Sequence, residues 1–365
     1  MGIIFSNINE DLIREMTDMR TLGSVPFGGR YRMIDFPLSS MVNSGINKVA
    51  VITKRNYQSL MDHLGSGKPW DLSRNRDGLY IFPPFGNSLG EFNNRIDMIS
   101  AIGSFIKNSM EEYVLMSDCN IVCNIDYKEV IENHIKNNAD ITLIYRKSVM
   151  PKVMNEEMVF SLTKDSKISQ IRINPDISGR CNCSMNMILM KRQLLLDLVY
   201  NCQSQNKTSF ERDILQKNVN KLNMYGYEFA GFSREVTSMS SYFEANMMLM
   251  KKNVKEELFS RSYPIYTKIR DDMPTRYGLG ADVKNSMLAN GCMIDGTIEN
   301  SIIFRGVKIG KGTIIKNSVI MQDTIIGENC NINYIITDKD VRIKDDRMLM
   351  GFQSYPVYIS KDSVI

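Results

Sequence analysis

The C-terminal quarter of the chain carries a six-residue repeat of aliphatic side chains, which restricts the fold more than any other feature. One register contains Ile303, Ile309, Ile315 and Met321, and a second contains Ile314, Ile320, Ile326 and Ile332. Aliphatic-glycine dipeptides at 309–310 and 326–327 are typical of the corners between short strands. A period of six residues is the signature of a hexapeptide parallel β-helix. We therefore predict a left-handed parallel β-helix over residues 283–365; the alternative is a set of ordinary short β-strands joined by turns.

Before this region, short apolar runs alternate with amphipathic segments. Strands are predicted at 49–53, 113–117 and 141–145, and helices at about 54–64 and 127–137. Such alternation is typical of βαβ units and a mostly parallel sheet. We predict a Rossmann-like α/β domain over residues 1–250 and, where prolines interrupt the pattern, a linker over 251–282. Glycine, proline, asparagine and aspartate accumulate from Gly65 to Gly90, which predicts a long surface loop.

Length and composition place the chain among soluble globular proteins with two domains. It has 365 residues, of which 43% are hydrophobic and 24% charged, and a formal net charge of +4. This charge is too small to predict a nucleic-acid partner, and no apolar run approaches the roughly 20 residues of a membrane span. A secretory signal pattern is lacking, and the seven cysteines are irregularly spaced. We predict a cytoplasmic protein with reduced thiols.

Glycines are missing where a nucleotide-binding scaffold needs them. The apolar run Gly2–Phe5 predicts a first strand, but no glycine follows it until Gly23. A turn that cradles phosphates uses glycines so that backbone N–H groups can approach the ligand without clashes of Cβ atoms. Residues 6–11 read Ser-Asn-Ile-Asn-Glu-Asp instead, which adds bulk and two negative charges. The pattern predicts a nucleotide-binding scaffold that has lost its triphosphate-binding turn.

The stretch VPFGGRYRMIDFPLSS, from Val25 to Ser40, resembles the glucose-1-phosphate adenylyltransferases (ADP-glucose pyrophosphorylases) of bacterial glycogen synthesis. Further stretches carry the same resemblance over nearly the whole chain: Trp70–Leu72, Ser117–Asp118, Ser233–Asn246 and Glu299–Asn329. The resemblance implies a nucleotidyltransferase domain followed by a left-handed β-helix. It also implies chemistry that joins ATP and glucose 1-phosphate and releases pyrophosphate, in which cations and backbone donors do most of the work.

This chain departs from the catalytic members at the positions that hold phosphates. The glycine-rich loop becomes Phe5-Ser6-Asn7, Lys-Pro-Ala becomes Leu22-Gly23-Ser24, Gly-Thr-Ala-Asp becomes Asn94-Arg95-Ile96-Asp97, Glu-Lys-Pro becomes Ile173-Asn174-Pro175, and Trp-Arg-Asp-Val-Gly-Thr becomes Ser233–Ser238. A hydrogen bond to a charged group contributes about 1.5–3 kcal/mol. Losing three or four of them would lower the rate by several orders of magnitude.

Two acidic residues remain at the metal-binding end of the implied site. Asp118 matches the family's metal-binding aspartate, and Glu235 replaces the second aspartate. Facing carboxylates are what Mg²⁺ requires to bridge phosphates. The alternatives are a turn or helix-cap role for Asp118 and a solvated or salt-bridged role for Glu235. Ser184 matches part of a sugar-contacting Ser-Met-Gly, with Asn186 in place of the glycine.

Two arginines beside the Gly-Gly turn are candidates for a regulatory anion site. Arg30 and Arg32 flank Tyr31, and in the resembled family basic residues near this region bind anionic sugar-phosphate effectors where the two domains meet. The planar guanidinium suits phosphate. A solvated or salt-bridged basic patch is the alternative.

These departures resemble the second, D-type subunit that accompanies the catalytic subunit in many Gram-positive bacteria. The resemblance implies a regulatory partner in a heterotetramer with the catalytic paralogue, and possibly self-association. No intrinsic cofactor is expected, with Mg²⁺ acting in the catalytic partner and at most weakly here. The alternative is an active Mg²⁺-dependent sugar-phosphate nucleotidyltransferase with a rearranged site. A hexapeptide-repeat acyltransferase is disfavoured, because such enzymes use a histidine base on the β-helix, and both histidines, His63 and His134, precede it.

Overall fold

A computed structural model describes residues 1–8, 10–74, 76–84, 94–149, 157–177 and 179–365. Its α-helices are α1 (Arg14–Thr17), α2 (Asp35–Asn43), α3 (Gln58–Leu64), α4 (Arg95–Ala101), α5 (Gly103–Lys107), α6 (Tyr127–Lys136), α7 (Arg192–Ser204), α8 (Met239–Met248) and α9 (Lys252–Leu258). A π-helix covers Phe210–Gln216, and 3-10 turns cover Glu10–Ile13, Leu22–Ser24 and Lys68–Trp70. Within the described ranges no helix is long and apolar enough to cross a membrane. Asn9 of the leader and residues 75 and 85–90 of the predicted loop lie outside the described residues.

The strands form an N-terminal and a C-terminal set. The N-terminal strands are β1 (Gly2–Phe5), β2 (Pro26–Phe27), β3 (Tyr31–Arg32), β4 (Lys48–Ile52), β5 (Gly78–Phe82), β6 (Tyr113–Asp118), β7 (Ile121–Cys123), β8 (Ile141–Val149), β9 (Met158–Leu162), β10 (Ile168–Ile173), β11 (Arg180–Lys191), β12 (Met224–Glu228) and β13 (Ser233–Glu235). The C-terminal strands are β14 (Arg276–Tyr277), β15 (Asp282–Lys284), β16 (Met287–Leu288), β17 (Met293–Ile294), β18 (Thr297–Glu299), β19 (Ile302–Ile303), β20 (Lys308–Ile309), β21 (Ile314–Lys316), β22 (Val319–Ile320), β23 (Ile325–Ile326), β24 (Asn331–Asn333), β25 (Ile335–Thr337), β26 (Arg342–Ile343), β27 (Met348–Met350) and β28 (Val357–Ile359).

The large N-terminal sheet has β1 near its centre. The strand order is β10-β9-β11-β6-β1-β4-β5, with β8 paired to β11 and β12 paired to β8. Strands β6, β1, β4 and β5 pair in parallel, whereas β11 runs antiparallel to β6 and β8. Neighbouring residues of β1 point to opposite faces, so that Ile3 and Phe5 enter one apolar cluster and Ile4 another. The predicted Rossmann-like α/β domain is confirmed, and the carboxyl ends of β1 and β6 meet at one edge.

The segment predicted as a long loop contains an edge strand. Residues 78–82 form β5, which pairs in parallel with β4 from Lys48↔Gly78 to Ile52↔Phe82. The strand has only five residues, so the glycine, proline, asparagine and aspartate around it dominate the composition of residues 65–90. Pairing with β4 stabilises it as a strand, and no local pattern reveals that pairing.

The predicted left-handed β-helix is confirmed in the C-terminal region. Three parallel sheets of five strands each contain β14 to β28 in alternation. Equivalent positions in successive coils are mostly 17 residues apart, as in the pairing of Ile298 with Ile315 and of Ile315 with Ile332. The region predicted as a linker, 251–282, contains α9, β14 and the first residue of β15; the domain boundaries themselves remain predictions.

Six members of the two six-residue registers belong to one inward-facing row, whereas Met321 packs in the apolar cluster shared with the N-terminal domain. Ile303, Ile309 and Ile315 are buried, and the row continues through Ile320 after a step of five residues, because a coil has 17 residues rather than 18. Ile314, the first member of the second register, lies outside this inward-facing row, since it is 38% exposed. A strict period of six does not detect the one-residue loss at each coil.

The motif Val25–Ser40 lies at the seam between the two domains. Phe27 and Phe36 pack in one cluster with residues of α8 and of the β-helix, including Phe304. Gly28 and Gly29 have φ of 59° and 85°, a conformation that glycine adopts without strain. A buried ion pair joins Arg20 to Asp338, with Nη1···Oδ1 of 2.9 Å and Nη2···Oδ2 of 2.5 Å.

Gly310 provides a test of the coil packing. A Cβ atom at this position would lie 2.6 Å from both the carbonyl carbon and the oxygen of Gly327 in the next coil. We expect Gly310→Ala to lower the free energy of unfolding by about 1–3 kcal/mol, as overpacking does. Chemical denaturation would measure the change, with the exposed neighbour Lys311→Ala as control. Equal stability of both variants would contradict the coil register described above.

Candidate functional site

The candidate site lies where β1 and β6 end side by side. Phe5 pairs with Asp118 in the parallel register of these strands. The turn after β1, the carboxylate at the end of β6 and the start of α4 meet at this edge, which is where ligands bind in open α/β sheets.

Side chains fill the turn that would cradle a triphosphate. Ser6 and Asn7 are 0% and 1% exposed. The amide oxygen of Asn7 accepts hydrogen bonds from Ser6 Oγ at 2.7 Å, Thr53 Oγ1 at 2.8 Å and the Lys54 backbone N–H at 3.0 Å. The Ser6 backbone N–H donates to the Ile52 carbonyl at 3.0 Å. These four donors are therefore used inside the protein.

The leader beyond this turn is also held in place. Asn7 Nδ2 donates to Glu10 Oε2 at 2.5 Å, and the backbone N–H of Gly23 donates to the Ser6 carbonyl at 3.0 Å. Leu22, Gly23 and Ser24 are buried in a 3-10 turn, at the place where catalytic relatives are expected to carry a lysine. Residues 22–24 therefore bring no cationic side chain to the site.

Asp118 is paired with an arginine of the first turn of α4. Arg95 donates from Nη1 to Asp118 Oδ1 at 2.9 Å and from Nη2 to Oδ2 at 3.0 Å. Its Nε donates to Glu211 Oε1 at 3.2 Å. The guanidinium carbon lies 4.6 Å from the centre of the Phe5 ring and 5.9 Å from that of Phe210. The sequence indicates Arg95 only as a departure from the family motif, whereas the structure makes it the partner of Asp118, the aspartate predicted to bind metal.

Electrostatics keep this arginine charged although it is buried. Burial by itself lowers the pKa of Arg95, but the carboxylates of Asp118 and Glu211 raise it above its ordinary value. Burial raises the pKa of Asp118, and Arg95 opposes this effect. A buried arginine between two acids is stable because each charge is compensated and hydrogen-bonded.

Glu235 is paired with a second arginine. Its Oε2 accepts from Arg146 Nη2 at 2.9 Å and its Oε1 accepts from Asn120 Nδ2 at 3.1 Å. Strand β13 pairs antiparallel with β7, next to Asn120. Burial raises the pKa of Glu235; Arg146 and the hydrogen bond from Asn120 oppose this effect, and the charge of Asp118 adds to it. Burial, followed by repulsion from Glu235, raises the pKa of Glu157 to about 8.

The donor set does not fit a divalent cation. Both oxygens of Asp118 accept from Arg95, and both oxygens of Glu235 accept from Arg146 and Asn120. A magnesium ion needs oxygen ligands that are not already bonded to cations. The described residues contain no group of three or more His, Cys, Asp or Glu side chains that could hold a metal ion.

Ser184 lies on β11 at a local irregularity. The register of β11 against β8 shifts between Ser184 and Met187, and Asn186 there has φ of 51°, which explains why the family motif has glycine. The Ser184 hydroxyl accepts from the Asn186 backbone N–H at 3.0 Å. Asn174, from the altered Glu-Lys-Pro, forms backbone and side-chain hydrogen bonds with Glu157 of 2.8 and 2.7 Å.

Arg30 and Arg32 lie apart from the carboxylates, near the seam with the β-helix. The Arg32 guanidinium donates to the Ser59 carbonyl at 2.5 Å and to Ser59 Oγ at 2.9 Å. Arg30 is exposed, with its guanidinium 5.5 Å from the centre of the Tyr31 ring. Burial, with the nearby charges of Arg32 and Arg20, lowers the pKa of Lys339 to about 7.

Several residues of the site carry no sequence signal. Arg146, Glu211 and Asn120 meet their partners at separations of 89, 116 and 115 residues. Only the family resemblance pointed to Asp118 and Glu235, and it gave no information on what their oxygens contact. The pairing of distant charges depends on strand order, which a single sequence does not state.

Comparison with known proteins identifies the family. A nucleotidyl transferase model matches residues 13–252 and a GlmU-like C-terminal hexapeptide model matches residues 272–354. The glycogen biosynthesis protein GlgD of Bacillus subtilis (strain 168) is 34% identical over 373 aligned positions, which cover 100% of this chain and 96% of that protein. GlgD of Geobacillus stearothermophilus is 37% identical over 86% of this chain and 82% of its own length.

A relative named for its activity also aligns over most of the chain. The glucose-1-phosphate adenylyltransferase of Clostridium botulinum (strain Alaska E43 / Type E3) is 34% identical over 81% of this chain and 78% of its own length. These matches confirm the resemblance carried by the motif at residues 25–40. The chain therefore belongs to the glucose-1-phosphate adenylyltransferase family of nucleotidyl transferases.

Proposed function

We propose that this protein is a cytoplasmic regulatory or partner subunit of glucose-1-phosphate adenylyltransferase in glycogen biosynthesis, with little or no activity of its own. It would modulate a catalytic paralogue that converts ATP and glucose 1-phosphate to ADP-glucose and pyrophosphate. The observation that carries this proposal is the turn after β1, in which Asn7 bonds internally to the donors that could meet a triphosphate. The names of the GlgD relatives support the pathway.

The charges of the site support the same proposal. Phosphoryl transfer depends on cations that neutralise the developing negative charge. Here Arg95 and Arg146 are held by Asp118 and Glu235, and the lysine positions of the family motifs hold Leu22 and Asn174. The arginines are thus committed to carboxylates, so neither charge is available to a phosphate.

Purified alone, the chain should show negligible synthesis of ADP-glucose. The reason is the combined loss of phosphate contacts, each of about 1.5–3 kcal/mol. Release of pyrophosphate from ATP and glucose 1-phosphate in the presence of Mg²⁺ would measure the rate, and calorimetry would measure ATP binding. A catalytic relative assayed in parallel is the control. A comparable turnover would establish the alternative, an active nucleotidyltransferase with a rearranged site.

The last coil of the β-helix offers a surface for the partner. Strands β27 and β28 end their sheets, and apolar side chains around them are exposed: Met348 70%, Met350 47%, Phe352 74%, Tyr355 76% and Val364 60%. Unpaired sheet ends and exposed apolar groups are features that assembly covers. We assign this surface to contact with the catalytic subunit.

Charged substitutions on this coil should weaken the complex. We expect Phe352→Asp combined with Tyr355→Asp to reduce association with a catalytic glucose-1-phosphate adenylyltransferase by at least about tenfold, which corresponds to about 1.4 kcal/mol. The turn itself should persist, because the backbones of the two residues bond to each other at 3.1 and 3.0 Å. Size determination of the mixed proteins would measure association. Met110→Asp, at a methionine that is 95% exposed in the N-terminal domain, is the control; equal loss in both variants would argue against this surface.

The basic residues near the seam are proposed as an effector site. Burial lowers the pKa of Arg32 to about 10; Asp35 opposes this effect, and the nearby charges of Arg20 and Arg270 add to it. Clustered cations favour a bound anion, and the guanidinium fork suits the phosphate of a sugar-phosphate effector.

Replacing both arginines by alanine should abolish the response of the complex to anionic sugar phosphates. The adenylyltransferase activity of the hetero-oligomer would be measured with and without a panel of sugar phosphates, with inorganic phosphate for comparison. Lys308→Ala with Lys311→Ala, at exposed positions of the β-helix, is the matched control. An unchanged response in the arginine double variant would exclude this site.

A further inference from the structure

We propose that the guanidinium of Arg95 is a built-in replacement for a divalent cation at the acidic end of the site. This inference deepens the proposed function and rests on it, because it explains how the fold keeps the metal-site aspartate once the site no longer serves catalysis. It assigns to Arg95 the role of the cation that compensates the buried charges of Asp118 and Glu211.

The contacts of Arg95 match those of a bridging cation. One positive group contacts both oxygens of Asp118 at 2.9 and 3.0 Å and one oxygen of Glu211 at 3.2 Å. The two acids come from distant parts of the chain, at the end of β6 and in the π-helix. A cation between two such carboxylates compensates the cost of burying them.

The surroundings of Arg95 hold the guanidinium in this position. Arg95 is 4% exposed, and the rings of Phe5 and Phe210 lie near it. Its backbone is fixed at the start of α4, where Asn94 Oδ1 accepts from the Asp97 backbone N–H at 2.9 Å. A side chain so confined cannot move aside for a metal without unpacking the two rings, so metal and arginine exclude each other.

The position in the motif explains how one substitution has this effect. The segment Asn94–Asp97 stands where catalytic relatives are expected to carry Gly-Thr-Ala-Asp, so that Arg95 takes the place of threonine. Threonine has no charge and is too short to span both acids. With threonine at this position, Asp118 and Glu211 would face a space without a cation, which favours a metal ion.

The test is rescue of the Arg95→Thr variant by Mn²⁺, measured as the shift of the thermal unfolding midpoint and as Mn²⁺ binding by electron paramagnetic resonance. The wild-type chain should gain no stability from Mn²⁺. The variant should unfold at a lower temperature, recover part of the loss with Mn²⁺, and bind Mn²⁺ at least about tenfold more tightly than the wild type. Arg95→Thr combined with Asp118→Asn should lose both the binding and the recovery.

Two controls keep the result interpretable. Arg192→Thr removes an arginine whose guanidinium donates to the backbone carbonyls of residues 106, 107 and 111, so Mn²⁺ should not restore the stability of this variant. Arg95→Lys keeps a charge at the site, and it should fold without binding Mn²⁺. Mn²⁺ binding to the wild type at this site would overturn the proposal, as would an Arg95→Thr variant that Mn²⁺ neither binds nor stabilises, or that stays unfolded with Mn²⁺.

These readouts are independent of partner binding and of catalysis. A chain that shows the rescue but fails to associate with a catalytic subunit would contradict the proposed function alone. A chain that associates but shows no rescue would contradict the role of Arg95 alone.

Discussion

The apolar core shared by the two domains is the constraint on which the rest of the structure depends. The Gly-Gly turn at 28–29 lets Phe27, Tyr31 and Phe36 reach α8 and the β-helix, and the Tyr31 ring stacks on Phe259 with centres 5.0 Å apart. The buried ion pair of Arg20 and Asp338 also links the N-terminal domain to the β-helix at this seam. Because the same segment leads from the first strand into α2, the seam also fixes the leader that fills the phosphate turn.

The site shows how a set of separate substitutions acts together. Asn7 supplies an acceptor inside the turn, and Arg95 and Arg146 supply cations to the two remaining acids. Each buried polar group would be costly if left without a partner. The losses of phosphate-binding groups are therefore accompanied by internal partners, which keep the fold stable without a ligand.

Sequence reasoning succeeded where the pattern is local. The alternation of apolar runs predicted the α/β domain, and the aliphatic repeat predicted the β-helix, because strands have a fixed side-chain period. The strict period of six missed the 17-residue coil, which leaves Ile314 outside the inward-facing row, and the loop prediction missed β5 because pairing with β4 decides that segment. Sequence reasoning identified Asp118 and Glu235 through the family motif but gave no information on their partners Arg95 and Arg146.

The sequence by itself determined the two fold types, the family and the absence of the phosphate-binding motifs, since each of these is written in contiguous residues. Only the tertiary structure determines which internal contacts stand in place of the missing phosphate-binding motifs. The tertiary fold brings Arg95 to Asp118 and Glu211, and Asn120 to Glu235, over separations of 23, 116 and 115 residues. Whether a charged side chain forms an internal ion pair or can bind a ligand depends on which other charges the fold places within hydrogen-bonding distance.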